Sequence, residues 1–127
     1  PWQHVLDPLN GYLQLAAALL EQPKKLSGSW NFGPEITRGL SVQQVTEKVL
    51  KRWGSGEAIE QTEANAPFEH TLLQLSIDKA KLVLGWRPIW CSERAIDETV
   101  DWYLRVDGGA DPVKTSLEQI ASFVGSQ

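Results

Sequence analysis

SIDKAKLVLGWRPIWCSERAIDETVDWY, residues 76–103, governs the reading of the whole chain. Residues 77–84 predict a short helix. Gly85 stops it, because glycine enters the left-handed conformation of a helix C-cap without steric cost. Trp86-Arg87-Pro88 follows as a crossing segment stiffened by the proline ring. A longer helix opens at Ser92, with Ile96, Val100, Tyr103 and Leu104 on one face. An aromatic ring, a guanidinium and a rigid turn therefore lie between two helix ends.

Working outward, Asp7 reads as an N-cap and Pro8 as the first helical residue. Leu9, Tyr12, Leu13, Ala16, Leu19 and Leu20 then recur at helical spacing until Gln22-Pro23. Residues 24–29 read as a loop, and Trp30-Asn31-Phe32 as a short strand closed by Gly33-Pro34. Ser41 and Gln44 form a capping box for a helix carrying Val42, Val45, Val49, Leu50 and Trp53, which Gly54 ends. Further strands are expected near residues 58–61 and 72–75. Ser116 is expected to cap a last helix bearing Leu117, Ile120, Ala121 and Val124. The expectation is a single domain over 1–127, of mixed α/β class but helix-rich, with five helices and two or three short strands.

Bulk properties narrow the function classes. A chain of 127 residues that is 42% hydrophobic and 22% charged has the composition of a folded domain. The net charge of −4 and scattered basic residues, with Lys24-Lys25 the tightest cluster, argue against a nucleic-acid partner. No apolar run reaches the ~20 residues of a membrane span. Cys91 is alone, which excludes an internal disulfide and fits a reducing cytoplasm. The chain has no Met and starts at Pro1, as expected of a fragment or a processed product.

No complete catalytic constellation is present. His4, His70 and Cys91 lack metal-ligand spacing, and there is no G-x-G-x-x-G, P-loop or G-x-S-x-G. The candidates are therefore binding groups. Residues 2–8 form an extended run entering a helix, where side chains such as His4 face a ligand or simply anchor the chain. Glu69 and His70, within Pro67-Phe68-Glu69-His70-Thr71, form a titratable pair, suited to acid/base work if buried and otherwise a solvated loop pair. Trp86 and Trp90 offer flat faces for a base or sugar, or pack into the core. Arg87 suits a phosphate, since a guanidinium grips it bidentately. Its alternative is a carboxylate partner such as Glu93 or Asp97.

These segments together resemble one family. Pro1-Trp2-Gln3-His4-Val5-Leu6-Asp7-Pro8 with Gly11-Tyr12-Leu13 is similar to the R-P-W-Q-H-V-L-x-P-x-x-G-Y-L segment of CDP-glucose 4,6-dehydratases. Trp30-Asn31-Phe32-Gly33-Pro34 resembles their W-N-F-G-P. Lys79-Ala80, Leu84-Gly85-Trp86, Pro88 and residues 99–103 resemble their K-A-x-x-x-L-G-W-x-P and T-x-x-W-Y. Two departures stand out: Phe68 occupies the place of the first histidine of P-H-E-A-H, and Ser76 that of an aspartate. The resemblance implies the C-terminal, nucleotide-sugar-binding lobe of an extended short-chain dehydrogenase. Such an enzyme is an NAD-dependent lyase that oxidises C4, eliminates water across C5–C6 and returns the hydride to C6. Its NAD and Tyr-x-x-x-Lys pair belong to a Rossmann domain that these residues do not contain. On this resemblance Trp2, His4, Val5, Glu69, His70 and Arg87 face a CDP-sugar, and the chain itself carries no catalytic residue, cofactor site or metal. The rival expectation is a free-standing interaction module that self-associates through faces meant for the missing domain.

Overall fold

The computed structural model describes residues 2–35, 39–59 and 74–127. Their architecture is helical: α1 (Leu6–Glu21), α2 (Pro23–Leu26), α3 (Val42–Trp53), a single π-helical turn (Ala80–Leu84), α4 (Ser92–Asp107) and α5 (Pro112–Val124). Among the described residues there is no strand, so the expected α/β class with short strands is incorrect. Trp30-Asn31-Phe32 shows why. A strand needs a second backbone for its ladder, but here side-chain amides take that place. Gln3 Nε2 donates to the Phe32 carbonyl at 3.2 Å, and Asn31 Nδ2 to the Ser76 carbonyl at 3.3 Å. Of the other strand candidates, residues 58–59 and 74–75 are unpaired backbone, and 60–61 and 72–73 lie outside the described residues.

Helix starts were legible where the cap is local. Ser41 accepts from Gln44 N, the Gln44 side chain accepts from Ser41 N, and Gly54 closes α3 at φ 84°. Two starts differ from expectation. Val5, not Asp7, stands at the N-cap of α1. Asp111 caps α5 by accepting from Lys114 N at 2.7 Å, with Pro112 as first helical residue, so this helix opens before Ser116. Pro23 likewise restarts the chain as α2 within the expected loop, and buries Leu26.

Two aromatic cores hold these elements. In the first, Phe32, Ile77, Ala80 and Trp86 cluster beneath α1, with Trp86 edge-on to Phe32 at 5.0 Å. Gly11 is obligatory there, since a Cβ would come within 2.3 Å of the Phe32 ring. In the second, Trp90 packs edge-on to Phe123 at 5.0 Å and to His4 at 4.9 Å, while Ala95, Ile96 and Val100 are buried along α4. Helix α4 packs along α3 on one side and α5 on the other. Gly85, at φ 73°, ends the π-turn, and Trp86 N reaches back to the Ala80 carbonyl at 3.0 Å. Residues 86–90 thus span the two cores, with Trp86 in one and Trp90 in the other.

Candidate functional site

The site is built where residues 2–8 meet the 86–92 turn. Asp7 projects from the first turn of α1, fully buried, and its Oδ1 accepts the Ile89 N–H at 2.6 Å. Its Oδ2 has no partner among the described residues. Ser92 Oγ donates to the Trp2 carbonyl at 2.7 Å. His4 lies edge-on to Trp90 at 4.9 Å. Three bonds or contacts therefore join segments that are 82 to 90 residues apart in sequence.

His4 is buried, and its Nδ1 accepts the Leu6 N–H at 3.3 Å, which satisfies one of the unpaired amides at the start of α1. That bond requires Nδ1 to be unprotonated. On the far side lies Gln119 of α5, whose Nε2 donates to the Glu98 carbonyl of α4 at 2.8 Å. Burial lowers the His4 pKa, while the Glu98 carboxylate and the Gln119 side chain pull it upward. For Asp7, burial raises the pKa, and the N–H groups of Ile89 and Trp90 oppose that by stabilising the ionised form. An open groove of about 450 Å³ runs beside His4, walled by Thr99, Trp102 and Tyr103 of α4 and by Gln119 and Ile120 of α5.

The candidate residues divide by position. Trp2 is partly exposed, its indole N–H held by the Leu40 carbonyl at 2.9 Å. Val5 is exposed at the mouth of α1. The Arg87 side chain is 70% exposed, and among the described residues the carboxylate it meets is Glu35, at 4.0 Å, rather than Glu93 or Asp97. Lys81 holds the other Glu35 oxygen at 2.7 Å. Trp86 and Trp90 are both buried, so neither presents a free stacking face. Glu69 and His70 lie outside the described residues. Sequence reasoning missed the long-range role of Asp7, as well as Glu35, Lys81 and Gln119. Only Asp7 carried a signal, since a carboxylate ahead of a proline was visible but was assigned to a local cap.

No protein-family model matches the chain. Over 126 residues, 99% of its length, the chain is 32% identical to the CDP-glucose 4,6-dehydratase of Salmonella typhimurium. The chain is homologous to that dehydratase. It spans 35% of the dehydratase's length, and the resemblance drawn from WQHVL, WNFGP and LGWRP is borne out. The NAD of such enzymes sits where a strand meets a glycine-rich turn at a helix N-terminus. None of the described helices opens after a strand or such a turn, so these residues do not fit the dinucleotide, and no redox step is assigned to them. The described residues hold no cluster of three metal-ligating side chains and no helix long and apolar enough to cross a membrane.

Proposed function

We propose that this chain is the nucleotide-sugar-binding part of a CDP-glucose 4,6-dehydratase-like protein and performs no chemistry by itself. The observation that carries the reading is the junction itself. Residues 2–8, which match the dehydratase motif, are bonded to the turn that presents an exposed Arg87. Among the described residues this guanidinium meets one carboxylate, at 4.0 Å, and a diphosphate is the ligand that such a fork fits best. His4 and Val5 border the groove between α4 and α5, and Trp2 borders its neighbour beside α3. These three, with Glu69, which keeps its place in the P-H-E-A-H motif, and His70 next to it, are assigned to the same ligand. The intact protein would add a Rossmann domain with NAD. A reducing cytoplasm is the setting that this reading assigns it, in keeping with a single cysteine in the chain.

Isothermal titration of the chain with CDP-glucose tests this. Binding is expected, and Arg87→Ala should weaken it roughly tenfold or more, given the ~1.5–3 kcal/mol of a hydrogen bond to a charged group. Equal affinity in the variant removes the reading. Formation of a 4-keto-6-deoxy product by the chain alone would remove the claim that it is not catalytic.

A second reading has an observation of its own. Leu9, Tyr12, Leu13 and Leu20 are all exposed along α1, which makes an uncharged apolar face. Such a face favours a self-associating interaction module. Size-exclusion chromatography with light scattering separates the two. A nucleotide-binding monomer supports the first reading, and a stable oligomer indifferent to nucleotide supports the second.

A further inference from the structure

We infer that Asp7 is a positioning residue for Arg87: from its fixed place in α1 it holds the Ile89 N–H and thereby sets where the 86–90 turn presents the guanidinium. This rests on the nucleotide-sugar reading above and adds to it a residue that does not face the ligand.

Local structure has no use for the Asp7 carboxylate. The amides at the start of α1 are served by His4, whose Nδ1 takes Leu6 N–H and whose carbonyl takes Asp7 N–H. A buried carboxylate is costly unless it is hydrogen-bonded, and here the one bond found, at 2.6 Å, goes to backbone 82 positions away. Burial of Trp86 and Trp90 fixes the ends of the turn, and the Pro88 ring stiffens its middle, but neither fixes the orientation of the Ile89 peptide. Pro88 has no N–H, so the first amide after Arg87 that can be gripped is that of Ile89. That amide is the one Asp7 takes. The Arg87 side chain makes no hydrogen bond among the described residues and meets Glu35 only at 4.0 Å, so its backbone determines its location.

Two measurements on the chain test this together: CDP-glucose titration and amide hydrogen exchange at Ile89. Asp7→Leu keeps comparable bulk without an acceptor. It should speed Ile89 exchange and weaken CDP-glucose by roughly ten- to a hundredfold, the scale expected of a binding group displaced by about 1 Å. Asp7→Asn keeps an acceptor oxygen and should restore both values to near wild type, an outcome that a purely space-filling role does not produce. Should Asp7→Leu fail to fold, Ile89→Pro removes the donor and tests the same bond from the other side. If wild type binds and Asp7→Leu or Ile89→Pro binds equally well, the inference is overturned and the nucleotide-sugar reading stands. If wild type does not bind, that reading falls, and the positioning role is then decided by exchange alone: unchanged protection of Ile89 in Asp7→Leu overturns it.

Discussion

The two faces of α1 are specified in different ways. The inner face is fixed by individual atoms: Asp7 by one hydrogen bond and Gly11 by the ring lying on it. The outer face carries Leu9, Leu13 and Leu20, all exposed among the described residues, Leu20 at 88%. Hydrophobic spacing alone treats both faces as core. The difference shows that periodicity identifies a helix but not which stripe meets its partner within the same chain.

Substitutions should therefore act unequally on the two faces. Phe32→Ala empties the first core and should cost about 3–5 kcal/mol in chemical denaturation, the range for a buried aromatic. Gly11→Ala gains helix propensity yet drives a methyl into the Phe32 ring, and should lose about 1–3 kcal/mol net. The double variant is the sharper test. With the ring gone, the alanine has room, so the two costs should fall short of additive. A full sum would break the claim that Phe32 is what makes glycine necessary. Removing the α3 cap with Ser41→Ala should cost about 1 kcal/mol, since that cap is exposed and local. On the outer face, Leu20→Lys should change stability by less than ~0.5 kcal/mol while lowering any self-association seen by light scattering.

Acidity probes the inner face differently. The Asp7 pKa is raised from 3.8, so its stabilising contribution is complete below 3.8 and is lost as pH rises through the raised value. Asp7→Asn, neutral throughout, should melt above wild type at pH 7, and the gap should close as pH falls and Asp7 takes up its proton. His4 runs the opposite way. Its pKa is lowered from 6.5, so its contribution is complete above 6.5 and is lost as pH falls through the lowered value. The acid loss of stability should flatten in His4→Gln. A melting curve of Asp7→Asn parallel to wild type across this range would contradict the assignment for Asp7.

What the sequence disclosed follows from how far each interaction reaches. The Ser41–Gln44 box and the Gly54 and Gly85 stops close within a few residues, and all three were readable. Asp7 has the same chemistry as a cap, a carboxylate accepting an amide. Nothing in a linear pattern tells the amide of its own helix from one 82 positions away. Arg87 reads from the sequence as a guanidinium between two helices, for a phosphate or for Glu93 or Asp97; its side chain is exposed, and its carboxylate neighbour among the described residues is Glu35. Asp111-Pro112 carries its own helix-start chemistry ahead of the expected Ser116, which instead accepts the indole N–H of Trp102 at 3.0 Å. Trp30-Asn31-Phe32 has strand composition, but composition cannot provide the second backbone that a ladder requires.

The bond between Asp7 and Ile89 also has a kinetic meaning. Forming it closes a loop of some eighty residues, and the entropy of that closure is repaid only after the local helices exist. The junction is therefore expected to form late as the chain folds. Conservative changes at Asp7 should speed unfolding and leave the folding rate nearly untouched, which stopped-flow fluorescence can read from the tryptophans. A ligand that needs Arg87 in place thus recognises only the completed chain, and a half-folded molecule offers it nothing to grip.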